Sequence, residues 1–208
     1  MMFNDRYGLT QAVISGRKTV TRRVIKDAWW PIYKIEAEEI KGDIIHVIAN
    51  NGKLVIERKC PYKIGEIVAV AQSYRNILDE LESNFFNKEH WEHGAQKRAE
   101  YAGMIYTPGY SNKMYVRADM MLHQIQIRDL RIERLQDISE EDCMKEGIYR
   151  DYGDTEFPPR EFYDYDGNNG NGFNTPRAAF ASLINKVSGR GTWDRNPFVW
   201  RIEFELVK

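Results

Sequence analysis

Gly16-Arg17-Lys18-Thr19-Val20-Thr21-Arg22-Arg23 is the stretch on which the reading of this 208-residue chain turns. Before it, Leu9, Ala12 and Val13 recur at helical spacing, so residues 5–15 are predicted as a helix that Gly16 stops. After it, Thr19, Val20, Thr21, Val24 and Ile25 crowd β-branched side chains together and predict a strand over 19–25. The stretch is a helix-to-strand turn that carries one lysine, three arginines and two threonine hydroxyls. Arginine forks and lysine point charges grip phosphates. A hydroxyl three residues from a lysine amine is a candidate nucleophile, provided a base takes its proton. The plain alternative is that Lys18 and Arg22 are solvated turn residues and Thr21 an ordinary strand residue. Strand alternation puts Lys18 and Arg22 on one face and Thr21 with Arg23 on the other.

Downstream, Ile44–Ile48 and Leu54–Ile56 flank Asn50-Asn51-Gly52, the signature of a hairpin with a tight turn. Gly65 turns the chain into a short apolar strand, Ile67–Val70. Residues 73–112 differ in texture: Leu78, Leu81, Phe85 and Phe86 are spaced for a helix, and Thr107-Pro108-Gly109 reads as loop. Met114-Tyr115-Val116 is predicted as a strand, and Ile125, Ile127, Leu130, Ile132 and Leu135 as a longer one with a bend near Asp129. Ser139-Glu140-Glu141-Asp142 has the form of a helix-capping box, and the short helix stops at Gly147. Residues 149–174 are rich in Tyr, Asp, Gly and Asn, with loop at Asn168–Gly172. Thr175-Pro176 restarts a helix whose apolar face is Phe180, Leu183, Ile184 and Val187, ended by Gly189. The last strand is Phe198–Val207, where apolar residues from Trp200 onward alternate with Arg201, Glu203 and Glu205. Many short strands and a few irregularly placed helices make an α+β domain around a mixed sheet or small barrel.

Composition is that of a globular protein, 42% hydrophobic and 29% charged, with a formal net charge of −1. A protein that coats nucleic acid along a track is basic overall, so nucleic-acid contact here is expected to be local. Residues 17–26 hold five basic residues and no acid, whereas residues 151–166 hold six acids and one arginine. Two cysteines, Cys60 and Cys143, make neither a metal-type pair nor a disulfide framework, which fits a reducing compartment. No signal peptide or membrane span is expected, and the cytoplasm is the default location.

These residues carry a resemblance. Gly16–Arg23 resembles the Gly-x-Lys-x-x-Thr-x-Arg motif of ASCH domains, members of the PUA-like superfamily. Tyr62-Lys63-Ile64-Gly65-Glu66-Ile67-Val68 is similar to the family's Gly-Asp/Glu segment leading into a barrel strand. Leu135–Gly147 resembles its strand-to-helix element, and Asn196–Phe204 its last strand. The ordered set covers residues 8–72, 113–148 and 175–208, and leaves about 73–112 and 149–174 as insertions in a single domain spanning 1–208. The resemblance implies a PUA-like small β-barrel with flanking helices, to which 19–25, 67–72, 113–135 and 198–207 contribute strands of one sheet.

It also implies function. PUA-like domains bind RNA or read modified bases, and one ASCH branch hydrolyses the amide of acetylated cytidine. In that branch the working residues are a Lys-x-x-Thr pair and a glutamate in the later short helix. Here they fall on Lys18, Thr21 and Glu146, with Glu140, Glu141 and Asp142 as rivals for the last place. Gly16, Arg17, Arg22 and Arg23 are the expected ligand-binding residues, Arg23 on a phosphate or a base carbonyl. A desolvated Lys18 would activate the hydroxyl of Thr21, but a carboxylate beside Lys18 would hold it charged. Expected partners are RNA or a small nucleoside, with no membrane, cofactor or metal; the oligomeric state is not legible. The rival class is a non-catalytic RNA-binding module.

Other candidates have plainer readings. His90-x-x-His93 with Glu89 and Glu92 suits one helical face, but no third ligand is evident where structural zinc takes four, and it reads as solvated helix. His46 and His123 read as structural. Trp29, Trp30, Tyr33, Trp91, Tyr101, Tyr106 and Tyr110 are candidate stacking platforms for bases, against the commoner role of core aromatics. The acidic 149–166 segment would repel phosphate and, laid over the site, would favour a small nucleoside.

Overall fold

A computed structural model of the chain describes residues 1–25, 35–41, 44–49, 53–83, 91–152, 161–167 and 172–207. The fold is mixed α+β, with a curled antiparallel half-barrel sheet and several helices. The chain divides into two compact units. One comprises Met1–Phe3, Val68–Ile125 and Val207–Lys208, the other Asn4–Ile67 and Gln126–Leu206. They are called here the small and the large unit.

The half-barrel sheet is built from β1 (Val20–Val24), β9 (Phe198–Leu206), β6 (Gln124–Arg134) and β5 (Ile67–Ala69), in the order β1-β9-β6-β5. All four segments expected to share one sheet do so. Their limits differ: β5 ends at Ala69 rather than 72, and β6 begins at Gln124 rather than 113. Met114-Tyr115-Val116 is not a strand: Lys113–Tyr115 is a 3₁₀ turn. The side chain of Asn112 accepts from Met114 N at 3.0 Å, and this local bond competes with strand formation. Along β6, Ile125, Ile127, Leu130 and Ile132 are buried. The buried set passes from odd to even numbers across Arg128 and Asp129, where the sequence predicts a bend.

The large unit holds α1 (Leu9–Ile14), α4 (Glu140–Lys145), α5 (Pro176–Ser188) and α6 (Thr192–Arg195). The helix predicted over 5–15 is two pieces. Asp5–Tyr7 is 3₁₀, and Gly8, with φ 63°, breaks it from α1. Leu9, Ala12 and Val13 are buried, as their spacing requires. Ser139 caps α4 by accepting from Asp142 N, and Thr175 caps α5 by accepting from Ala178 N, both at 3.1 Å. Of the predicted α5 face, Phe180, Leu183 and Ile184 are buried, whereas Val187 is exposed.

Residues 149–174 contain structure that composition concealed. β7 (Tyr149–Tyr152) pairs antiparallel with β8 (Glu161–Asp164), and Tyr163 bridges to Phe173. The predicted hairpin is present as β3 (Ile44–Ala49) and β4 (Lys53–Lys59), joined by an unforeseen β2 (Ile35–Lys41) in the order β2-β3-β4. The glutamates of Ile35-Glu36-Ala37-Glu38-Glu39-Ile40-Lys41 hide β2 from a period-2 search. The Asn50–Gly52 turn lies outside the described residues, as do Phe85 and Phe86.

The small unit carries α2 (Tyr74–Ser83) and α3 (Trp91–Ala102), which pack together. Its core is Tyr74, Ile77, Tyr101, Met120 and Met121. Tyr101, a candidate stacking platform, is a core residue: its hydroxyl donates to Met120 O, and burial pushes its pKa up to about 12. Tyr110 packs on the same cluster, whereas Tyr106 is 96% exposed. Trp29, Trp30 and Tyr33 fall outside the described residues. A polar string runs beside this core. Gln72 Nε2 donates to Glu80 Oε2 at 2.9 Å, and Glu80 Oε1 lies 2.6 Å from His123 Nε2. Among the described residues no helix is long and apolar enough to cross a membrane.

Candidate functional site

The basic turn is pinned on three sides by backbone bonds. Gly16 takes φ 75°, the left-handed region that glycine tolerates. Lys18 N donates to Ala12 O at 2.8 Å, Thr19 N to Lys145 O at 2.9 Å, and Phe204 N to Thr19 O at 2.9 Å. α1, the end of α4 and β9 therefore fix the point at which the Lys18 side chain departs.

That side chain goes inward. Lys18 is 2% exposed, and its ammonium donates to Val20 O (2.8 Å), Glu146 O (2.8 Å) and Glu146 Oε2 (2.5 Å). An ammonium has three N–H donors, so all are used. Burial pushes the Lys18 pKa below the ordinary lysine value, opposed by the charge and hydrogen bond of Glu146. The cations of Arg22 and Arg23 push it further down. Three close acceptors, one of them the Glu146 carboxylate, surround the Lys18 nitrogen.

Glu146 reaches this place because α4 ends there. Its N–H bonds back to Asp142 O at 2.9 Å, and Gly147 then turns the chain out with φ 103°. The rival acids are accounted for. Glu141 pairs with Lys145 at 2.7 Å on the surface, Asp142 faces two arginines, and Glu140 is exposed. Glu146 is the acid of this group that meets Lys18.

Arg22 lies on the Lys18 side of β1, as alternation predicts. It is 5% exposed and gives Nε to Glu133 Oε1 (2.6 Å), Nη2 to Asp142 Oδ2 (2.6 Å) and Nη1 to Glu146 Oε1 (3.2 Å). In the register of β1 and β9, Arg22 stands opposite Arg201. Like charges directly opposite repel, and Asp142 answers both. Arg201 Nε donates to Asp142 Oδ2 at 2.8 Å, and Arg201 Nη1 to Glu203 Oε2 at 2.9 Å. Burial alone would raise the Asp142 carboxyl, but the hydrogen bonds and charges of Arg201 and Arg22 hold it at about 2.

The expected ligand residues separate. Arg17 is exposed; it donates to Gly147 O at 2.7 Å and lies over the Tyr149 ring at 4.9 Å. Arg22 spends its fork on protein carboxylates. Thr21 and Arg23 belong to the other face of β1, opposite Ile202 and Trp200 in register, with Thr21 7% exposed. The structure thus brings Lys18 and Glu146 together, with Arg22 beside them, while Thr21 is not among the three partners of Lys18. Arg201, Glu133 and Glu203 are the members of this cluster that sequence reasoning missed. Arg201 offered one signal, a cation between buried Trp200 and Ile202, yet nothing local names its partner.

Cys143, in α4, is fully buried, and burial pushes its thiol to about 12; it is inert as a nucleophile. Glu89 and His90 lie outside the described residues. Among the described residues, no group of three or more His, Cys, Asp or Glu is placed to hold a metal ion. No protein-family model, curated protein or solved structure matches the chain.

Proposed function

We propose that this chain is an ASCH-type, PUA-like protein that binds a modified nucleoside or RNA and hydrolyses the amide of an acetylated cytidine. The observation that carries the reading is the contact of 2.5 Å between Lys18 Nζ and Glu146 Oε2, buried side chains 128 residues apart. These are the positions that the motif resemblance singles out. A surface turn has no use for such a pair, because burying two charges costs several kcal/mol per ion before their attraction repays it.

The proposed chemistry follows from the groups present. Glu146 takes a proton from Lys18, and the resulting amine takes the hydroxyl proton of Thr21. Thr21 Oγ1 then bonds to the acetyl carbon; the carbon–nitrogen bond breaks, and the leaving amine receives the proton. Water cleaves the acetyl-threonine and releases acetate. The reading requires the Thr21 hydroxyl to exchange its proton with Lys18 directly or through a water. Arg23, on the Thr21 face, is the candidate cation for a phosphate or a base carbonyl.

The test is release of acetate from acetylated cytidine. Wild type should turn over, and Lys18→Ala and Glu146→Gln should each lose about 100-fold or more. A folded wild type with no turnover ends the hydrolase reading. One observation favours the second reading, a binding module without turnover: the three donors of Lys18 are already satisfied. That reading expects a salt-dependent titration with RNA, weakened by Arg23→Ala.

A further inference from the structure

We propose that Arg22 is the positioning residue of this site. It holds the Glu146 carboxylate by the oxygen that Lys18 leaves open, and Asp142 of α4, itself held by Arg201 of the neighbouring strand, in turn holds Arg22. The consequence for catalysis rests on the functional reading above; the geometry does not.

Glu146 has two carboxylate oxygens and two cations. Oε2 takes Lys18 Nζ at 2.5 Å and Oε1 takes Arg22 Nη1 at 3.2 Å. A carboxylate gripped at both oxygens is fixed in rotamer as well as in place. Asp142 and Glu146 stand four residues apart, on one face of α4 and its end. The Nη1 and Nη2 of one guanidinium reach one carboxylate each. A single side chain of β1 therefore sets how the end of α4 presents Glu146 to Lys18. Arg22 cannot swing away, because its Nε is held by Glu133 at 2.6 Å. Asp142 is shared, taking Arg201 Nε at 2.8 Å on the oxygen that Arg22 also uses. Positioning thus runs from β9 through Asp142 to Arg22 and on to Glu146. Only a planar fork spans two carboxylates at once; a lysine keeps the charge and loses the geometry.

The test uses the full chain labelled with ¹⁵N-lysine and follows hydrogen exchange of the Lys18 ammonium. A buried ammonium with three acceptors should exchange slowly. Arg22→Lys and Arg22→Gln should speed that exchange about tenfold or more, and Asp142→Asn by less. Arg128→Gln, which removes an exposed pair with Glu205, should leave it unchanged. Folded Arg22→Lys protein with wild-type exchange overturns the proposal, and so does a wild-type Lys18 that exchanges like a surface lysine. If the Arg22 variants do not fold, Asp142→Asn decides by the same reading. Acetylcytidine turnover and binding are measured on the same samples. If wild type neither binds nor hydrolyses while Arg22→Lys frees Lys18, the functional reading falls and the positioning role stands. If wild type hydrolyses and Arg22→Lys leaves both kcat and Lys18 exchange unchanged, the positioning role falls. A positioning role expects kcat to drop in Arg22→Lys with KM little changed.

Discussion

The large and small units bury polar groups in opposite ways. In the large unit Lys18, Arg22 and Arg201 are each less than a tenth exposed, and Glu133, Asp142, Glu146 and Glu203 meet them within 3.2 Å. In the small unit the core is aromatic, aliphatic and methionine, flanked by one string, Gln72–Glu80–His123. That string ends open, for Gln72 Oε1 is buried without a hydrogen-bond partner. Buried charge has to be closed on itself, because each unmet ion costs several kcal/mol. A neutral amide survives with one end unmet at about 1–3 kcal/mol. The large unit should therefore be brittle toward loss of one charge, and the small unit toward change of shape.

The largest expected effect breaks the charged cluster. Arg22→Ala leaves Glu133, Asp142 and Glu146 without their shared cation and should cost about 3–5 kcal/mol. Amide exchange of β1 and β9 should speed accordingly while α2 keeps its protection. A cost under about 1 kcal/mol would show that the cluster is solvated, in the manner of surface pairs.

The second effect tests shape in the small unit. A Cβ on Gly109 would stand 2.5 Å from Tyr74 Cε2 and 3.1 Å from Tyr115 O. Tyr74 is a buried core residue and cannot simply swing aside. Gly109→Ala should cost about 1–3 kcal/mol through overpacking, read as faster exchange at Ile77. An unchanged small unit would mean that the loop moves away freely.

These contrasts also explain what was legible in the sequence. The strands of the half-barrel are carried by local chemistry: β-branched runs at 19–25, alternation along 125–132, the apolar close at 198–204. Caps at Ser139 and Thr175 are equally local. Lys18 and Glu146 were reachable because a spaced motif and a helix-ending glycine mark them. Arg22 was legible as a residue and not as a role, since its partners lie 111 to 124 positions away. The Arg22–Arg201 pairing depends on the register of β1 and β9, which no local pattern encodes. β7 and β8 were hidden by composition, because turn-forming Asp and Gly surround them.

The third prediction is pH-dependent and separates the units by sign and place. Asp142 has a folded pKa of about 2 against an ordinary 3.8. Its contribution to stability is present above the ordinary value and lost as pH falls from about 4 toward 2. Asp142→Asn should destabilise the large unit at neutral pH and flatten its loss of protection over that window. Glu80 is also held below its ordinary value; burial opposes this, and the hydrogen bonds of His123 and Gln72 outweigh it. The small unit should accordingly keep its own acid sensitivity in Asp142→Asn. A parallel flattening in both units would mean that they unfold together.

The smallest expected effect is the sharpest test of the comparison. Gln72→Met removes a buried polar side chain of similar length. It loses the bond from Gln72 Nε2 to Glu80 Oε2, and it also removes the buried Oε1 that has no partner. The lost charged hydrogen bond costs about 1.5–3 kcal/mol, while relief of the unmet acceptor returns about 1–3 kcal/mol. Glu80 keeps His123 Nε2 at 2.6 Å, so its charge is not left alone. The two terms should cancel to within about 1 kcal/mol, seen as little change in denaturation midpoint and in exchange at Ile77. In the large unit, by contrast, a removed polar partner leaves ions behind and cannot cancel. If Gln72→Met cost as much as Arg22→Ala, the open end of the string would be a misreading, and Gln72 would hold the small unit together as Arg22 holds the large one.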